Sequence, residues 1–257
     1  MSERPGLWAI IPAAGSGRRL GSETAKQYLT LHGQAVLTHS VGRILAVPGL
    51  SGLVLVQAPG ESWRYPQAPP TGRTLLHCTG GAARHQSVIN GLLCLCDHLP
   101  ADQHESTRVL VHDAARPCVR VADIRKLLEE TGEDEAGGLL GMPVTDTLKR
   151  ANVDSDAASP RISATVARDG LWVAQTPQLF PVLTLLDALR QADANGHPVT
   201  DEASAMEMAG HHPRLVHGSA DNIKITWPGD LERAAGILDR QQAESTAADS
   251  ISKGQKQ

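Results

Sequence analysis

The stretch Leu7-Trp8-Ala9-Ile10-Ile11-Pro12-Ala13-Ala14-Gly15-Ser16-Gly17-Arg18-Arg19-Leu20-Gly21-Ser22-Glu23-Thr24-Ala25-Lys26 decides the fold. Its apolar beginning, residues 7–11, reads as a buried strand. The strand opens into a loop of small residues with Gly15 and Gly17, followed by Arg18, Arg19 and Lys26. Small residues let backbone N–H groups approach an anion closely. The cations then neutralise charge that backbone dipoles cannot. This is a phosphate cradle with more positive charge than ground-state binding needs, which points to phosphoryl or nucleotidyl transfer. An ordinary Gly-rich turn with solvated arginines is the other reading of the same residues.

Two familiar phosphate loops are excluded. The dinucleotide fingerprint needs a third glycine five residues after the first. Counted from Gly15, that position is Leu20, and Gly21 comes one residue late. The strand expected at 52–57 is followed by Ala58 and Pro59 where a ribose-binding carboxylate belongs. The P-loop pattern fails because no Gly-Lys-Ser/Thr follows the glycines.

Composition narrows the class. The chain has 257 residues, 41% hydrophobic and 20% charged, enough for one large α/β domain. A net charge of -4 gives no global basic field, and aromatic residues make up only 3%, so nucleic acid is not an expected partner. No apolar run reaches the roughly 18 residues of a membrane span, and no signal pattern precedes the first strand, so a cytoplasmic location without membrane contact is expected. Cys94 and Cys96 form C-x-C, while His211 and His212 are adjacent; neither group has zinc spacing. With Cys78 and Cys118, the cysteines read as buried thiols.

Outward from the first stretch, apolar strands alternate with amphipathic helices. Strands are expected at 7–12, 52–57, 74–78, 108–112 and 137–143, and helices at 39–46, 86–97 and 122–131. This alternation implies an α/β fold, a Rossmann-like and mainly parallel sheet covered on both faces. Residues 144–169 break the rhythm. They are polar and lie between two core segments, as in a long hairpin excursion that is functional or an oligomerisation arm. Helices resume at 181–194 and 201–208, the second capped by Thr200. Strands at 214–217 and 223–226 precede a last helix at 228–242. The single domain is expected to span 1–242, and the polar tail 243–257 to be disordered.

In open α/β sheets, ligands bind at the carboxyl ends of the strands. Gly80 and Gly81 follow the third strand, with Ser87 opening a helix. Twin glycines let the chain lie flat against a planar base and are equally acceptable as a plain turn. His112-Asp113-Ala114-Ala115-Arg116-Pro117 follows the fourth strand. Asp113 stands where a magnesium carboxylate is usual, or it caps a turn, while Arg116 could hold an anionic substrate. Lys224 lies in an expected strand and, taken alone, belongs on a solvated face.

Together, these segments resemble the 2-C-methyl-D-erythritol 4-phosphate cytidylyltransferases, a family of the non-mevalonate isoprenoid pathway. The resemblance is carried by Pro12-Ala13-Ala14-Gly15-Ser16-Gly17-Arg18-Arg19, Lys26-Gln27-Tyr28 and Val111-His112-Asp113-Ala114-Ala115-Arg116-Pro117. It continues in Pro143-Val144-Thr145-Asp146-Thr147-Leu148-Lys149, Gln175-Thr176-Pro177-Gln178-Leu179-Phe180, Thr200-Asp201-Glu202-Ala203-Ser204-Ala205 and Asp221-Asn222-Ile223-Lys224-Ile225-Thr226. It runs from about Trp8 to about Leu238, and the stretch beyond is too short for a fused second enzyme.

The resemblance implies a nucleotidyltransferase-type fold and a homodimer in which arm 144–169 of each subunit reaches across the interface. It implies CTP and methylerythritol phosphate as substrates, with Mg2+ or another divalent cation. Ala13, Ala14 and Gly15 would line the nucleotide, with Gly81 and Ser87 around the cytosine. Arg19, Lys26 and Lys224 would be catalytic, stabilising the reacting phosphates. Asp113 would lie near the metal and the cytidine. Arg116, Thr147, Arg168, Thr176 and Thr200 would surround the methylerythritol phosphate, some of them donated by the partner. Two residues depart from the family pattern: Ala82 where an acidic residue is common, and Ala25 where proline is. A cytidylyltransferase for another alditol phosphate, such as ribitol 5-phosphate, would share the nucleotide half. A non-catalytic nucleotide-binding regulator would not need Arg19, Lys26, Asp113 and Lys224 together.

Overall fold

The computed structural model describes residues 6–15, 24–152 and 159–254. In chain order, the first half comprises β1 (Leu7–Pro12), β2 (Thr30–Leu31), β3 (Gln34–Ala35), α1 (Val36–Leu45), β4 (Leu50–Gln57), β5 (Thr74–Thr79), α2 (Arg84–His98) and β6 (Arg108–Val111). Then come α3 (Val121–Thr131), β7 (Gly138–Pro143), β8 (Leu148–Ala151), β9 (Ile162–Val166) and β10 (Trp172–Pro181). The chain continues through α4 (Val182–Ala194), α5 (Glu202–Met208), β11 (Arg214–His217) and α6 (Gly229–Gly254).

The central sheet has seven strands in the order β11-β7-β10-β6-β1-β4-β5. β1 is flanked by β6 and β4, both parallel to it. Its side chains alternate between two buried faces, which is why it reads as a continuous apolar run. Ala9 and Ile11 join Leu37, Val41, Ile124 and Leu127 on the side of α1 and α3. Trp8 and Ile10 join Val88, Leu92, Leu185 and Leu189 on the side of α2 and α4. A smaller cluster of Val36, Cys118, Ile225, Ala234 and Ile237 fastens α6 to the start of α1 and the loop after β6. No helix among the described residues is long and apolar enough to cross a membrane.

The expected α/β architecture is present, with one antiparallel intruder. β10 runs against both β6 and β7. It was not expected as a strand, because Gln175, Thr176, Pro177 and Gln178 hide its buried half behind polar letters and a proline. Those polar groups have partners: the Gln178 amide, for example, accepts from Ala203 N–H at 2.8 Å and donates to Asp201 Oδ2 at 2.8 Å. The expected excursion forms a separate ladder, β8 against β9.

Three local expectations are corrected. Residues 223–226 form no strand. They lie against the loop after β6, where Ile225 N–H donates to Ala115 O at 2.9 Å. The cap of α5 is Asp201 rather than Thr200, because its carboxylate accepts from Ser204 N–H at 3.0 Å. The last helix continues past 242 to Gly254, into the segment expected to be disordered. Alanine and glutamate favour that continuation, and Arg120 Nη1 pairs with Glu244 Oε2 at 2.6 Å.

Gly52 shows how closely the sheet packs. A Cβ there would stand 2.6 Å from Thr74 O on the next strand and 2.7 Å from Cη2 of the Trp8 indole. A carbonyl held in a ladder cannot retreat, so Gly52→Ala is expected to destabilise the fold by about 1–3 kcal/mol, the usual range for overpacking. Urea denaturation measures this; an unchanged midpoint would show that the sheet relaxes freely here.

Candidate active site

The carboxyl ends of the parallel strands open onto one cleft of about 350 Å³. The loop after β1 supplies Ala13, Ala14 and Gly15, and the turn after β5 supplies Gly81 with Ser87. Asp113 comes from the loop after β6, and Lys26 and Lys224 line the same cleft. Eight of the residues singled out in the sequence therefore share one wall-to-wall space. Arg19 lies outside the described residues.

The loop after β1 is held open by a side chain. Gln27 Nε2 donates to Ala13 O and to Gly15 O, both at 2.8 Å. These carbonyls are thus tied down on one side of the loop. Gly80 packs so tightly that a Cβ would lie 2.5 Å from the Ala14 Cβ and 2.8 Å from Ser87 Oγ. Ser87 Oγ accepts from Gly81 N–H at 3.2 Å and donates to Ala83 O at 3.1 Å. The twin glycines are a packing necessity here, and they also leave a flat wall on the cleft.

Asp113 is the electrostatic centre. Its Oδ2 pairs with Lys224 Nζ at 2.8 Å and with Arg116 Nε at 3.4 Å. Its Oδ1 accepts from Arg84 Nε at 3.2 Å and Nη2 at 3.1 Å. Burial alone would raise the carboxyl pKa, but the charges of Arg84, Lys224 and Arg116 prevail and hold it well below the usual range. Arg84 also grips Glu202, through Nη1–Oε1 at 2.6 Å and Nη2–Oε2 at 3.1 Å. Burial would lower the Arg84 pKa, yet the two carboxylates raise it.

A second layer fixes this centre from below. His112 is completely buried, with Nε2 3.1 Å from Arg116 O and Nδ1 3.0 Å from Thr176 Oγ1. A carbonyl only accepts, so Nε2 carries the proton and Nδ1 accepts from the Thr176 hydroxyl. That hydroxyl oxygen in turn accepts from Asp113 N–H at 3.0 Å. Arg116 Nη1 donates to Asn222 O at 2.6 Å, and Asn222 Nδ2 donates to Thr176 O at 2.8 Å. Arg116 and Thr176 thus lie beneath the cleft, at 9% and 4% exposure, rather than on its wall.

Lys224 reaches the site from an irregular segment, and its anchors explain how. Asp221 just upstream pairs with Arg120 at 2.8 Å and with Arg240 of α6 at 2.7 Å. Lys26 Nζ donates to Ile225 O at 3.1 Å, so the two lysine-bearing segments touch. Thr147, Arg168 and Thr200 are exposed and do not line the cleft. Arg168 donates to Thr145 O at the base of the hairpin.

Sequence reading missed Arg84, Glu202 and Gln27 as site residues. Arg84 carried one usable signal. It is the first residue of α2, where the helix dipole disfavours a cation. A cation there calls for fixed carboxylates, and the structure supplies two. Both oxygens of Asp113 are taken by cations, and no group of three or more metal-ligating side chains occurs among the described residues. A divalent ion at this cleft would draw most of its ligands from the phosphates it accompanies and from water, with Asp113 as the carboxylate on the cleft wall.

A nucleotide-sized cleft at the carboxyl edge of the sheet, lined by small-residue loops and lysines, defines a nucleotidyltransferase-type α/β protein. The family model for IspD, 2-C-methyl-D-erythritol 4-phosphate cytidylyltransferase, matches residues 7–240. The chain is 46% identical over 229 residues to the 2-C-methyl-D-erythritol 4-phosphate cytidylyltransferase of Pseudomonas putida, covering 89% of this chain and 94% of that one. It is 44% identical over 234 residues to the same-named protein of Hahella chejuensis, covering 91% and 93%. Among solved structures, it resembles 2-C-methyl-D-erythritol 4-phosphate cytidylyltransferase of Francisella tularensis, with a TM-score of 0.73, 33% identity and coverage of 90% and 99%. A 4-diphosphocytidyl-2C-methyl-D-erythritol synthase superposes with a TM-score of 0.75 at 34% identity, covering 92% of this chain and all of that one. The chain belongs to the 2-C-methyl-D-erythritol 4-phosphate cytidylyltransferase family.

The buried His112 makes stability depend on pH. Burial lowers its pKa from 6.5 to about 4. Below pH 6.5 the unfolded chain takes up a proton that the folded chain refuses, so stability falls as pH drops from 6.5 to about 4. The full loss is about 3 kcal/mol at 1.36 kcal/mol per pKa unit. Urea denaturation across this range checks it. His112→Gln is expected to flatten the slope there; an identical slope in that variant would assign the proton elsewhere.

Proposed function

We infer that this chain transfers the cytidylyl group of CTP to 2-C-methyl-D-erythritol 4-phosphate, giving 4-(cytidine 5'-diphospho)-2-C-methyl-D-erythritol and pyrophosphate. The observation that carries the reading is the meeting of Lys26, Lys224 and Asp113 in one cleft with the Ala13–Gly15 and Gly81–Ser87 walls. Membership of the cytidylyltransferase family supports it.

An oxygen of the substrate phosphate attacks the α-phosphorus of CTP. The new P–O bond forms as the bond to the bridging oxygen of the pyrophosphate breaks, and that oxygen leaves with the electron pair. Both reactants are polyanions, so the barrier is largely repulsion plus the charge of a five-coordinate transition state. Lys26 and Lys224 supply fixed positive charge without proton transfer. Arg19 joins them in this reading. Ala13, Ala14 and Gly15 offer backbone to the nucleotide, and Gly81 and Ser87 bound the space for cytosine. Because Ala82 carries no acidic group, base recognition rests on backbone and Ser87. Magnesium would accompany the triphosphate as its counter-ion and would neutralise part of its charge beside Asp113, Lys26 and Lys224. No step depends on a protein-held ion, and Asp113 serves as the anchor of Lys224.

The polyol phosphate half is completed by a second subunit. Thr147 and Arg168 stand on the exposed hairpin, away from their own cleft. Ile162, Leu171 and Val173, on the hairpin and at its return to the sheet, are exposed apolar side chains that a homodimer would cover. Thr200 lies beside the capped start of α5 and borders the same region in this reading. Arg116 and Thr176 support this pocket from beneath. The four cysteines are free thiols, in keeping with a cytoplasmic enzyme.

Incubation of the chain with CTP and each polyol phosphate tests the reading, with nucleotide product and pyrophosphate both measured. Product from methylerythritol phosphate is expected. Product from ribitol 5-phosphate alone would select the rival cytidylyltransferase, and CTP binding without product would select the regulator.

Lys26→Ala and Lys224→Ala are each expected to lower kcat by roughly 2.7–4 kcal/mol in barrier terms, with a much smaller change in CTP dissociation constant. Steady-state kinetics beside calorimetric titration separates the two effects. Near-wild-type turnover in either variant would remove that lysine from the chemistry.

Mixed dimers test the arm. One parent carries Lys26→Ala, and the other carries Thr147→Ala with Lys149→Ala. If arms act in trans, one of the two sites in the mixed dimer combines an intact nucleotide half with an intact arm, and activity partly returns. Absence of recovery in verified mixed dimers of folded parents would place each arm with its own subunit.

A further inference from the structure

We propose that Arg84 is a positioning residue for the reaction, which sets Asp113 and, through it, Lys224. The inference rests on the assignment of Lys224 to the reacting phosphates. It starts from one guanidinium that bridges Asp113 on the cleft and the completely buried Glu202. Arg84 sits in the first turn of α2, at the electropositive end of the helix dipole. Its side chain lines the cleft yet faces two carboxylates.

Every nitrogen of the guanidinium is used. Nε and Nη2 close on Asp113 Oδ1, while Nη1 and Nη2 close on the two oxygens of Glu202. Glu202 is completely buried at the start of α5. A planar fork held at both ends has one orientation, so Arg84 fixes where Asp113 Oδ1 points. The other oxygen, Oδ2, is thereby presented to Lys224 Nζ at 2.8 Å.

The charge of Arg84 matters as much as its shape. Asp113 shares its negative charge among Arg84, Lys224 and Arg116. With Arg84 withdrawn, Asp113 would hold Lys224 more strongly. The ammonium would then be less available to the charge that grows on the transferred phosphoryl group. Arg84 also belongs to the helix that carries Ser87, so the wall assigned to the base and the centre of the chemistry are joined through one side chain.

The test compares Arg84→Lys, Glu202→Gln and Lys224→Ala, alone and combined, in the full-length enzyme. Product formation by the unmodified chain is measured first; its absence would refute the functional reading rather than the role of Arg84. Arg84→Lys keeps the charge but cannot hold both carboxylates in a fork. It is expected to lower kcat at least tenfold while the CTP dissociation constant stays within about threefold. Glu202→Gln loosens the far end of the same fork and is expected to lower kcat in the same direction, by a smaller factor. In the Lys224→Ala background, Arg84→Lys is expected to lower kcat by no more than about twofold, because the lysine it positions is gone. Wild-type kcat in folded Arg84→Lys would overturn the proposal. So would a full tenfold further loss in the Lys224→Ala background, or a parallel loss of CTP binding. If Arg84→Lys does not fold, the same comparisons are read from Glu202→Gln.

Discussion

The ion pairs of Asp113 are the constraint around which the active edge is organised. A buried carboxylate without partners would be neutral or would unfold the site. Here it has cations from a helix start, from its own loop and from an extended segment far along the chain. Each cation is in turn held elsewhere: Arg84 by Glu202, Arg116 by Asn222 O, and the Lys224 segment by Asp221 and α6. Removing any one partner leaves charge buried, so the elements stay together. The result is a cleft whose positive groups are fixed before a polyanion arrives, which is the condition for electrostatic preorganisation.

Some of this was legible in residue letters. β1 and its cradle, the parallel core and the loop at Asp113 follow from apolar runs ending in small or charged residues, because period and polarity report burial directly. β10 was not legible. Its buried half is written in Gln, Thr and Pro, and only the pairing with β6, α5 and Asn222 makes those letters fit a sheet. Lys224 was legible as a member of the family motif but not as a geometry: the segment is extended without joining the sheet, and its place depends on Asp221 meeting Arg120 and Arg240. Arg84 and Glu202 pair across 118 residues, a contact that no local pattern encodes.

Family membership and cleft geometry agree in kind. Relatives named for cytidylyl transfer match about nine-tenths of this chain. The cleft holds small-residue walls suited to a nucleotide and cations suited to phosphates. Arg116 and Thr176 are buried beside the cleft and hydrogen-bonded to His112, Asp113 and Asn222.

β10 runs opposite to its neighbours, so its beginning lies at the same edge as the ends of the parallel strands. The hairpin is rooted at that edge, between Pro143 and Trp172, and only a few residues separate the root from Thr176 and the backbone of Asp113. Surface hairpin and cleft are therefore neighbours along one strand. A change at the hairpin root therefore shifts Thr176, and through its hydroxyl the backbone of Asp113, by way of the same strand.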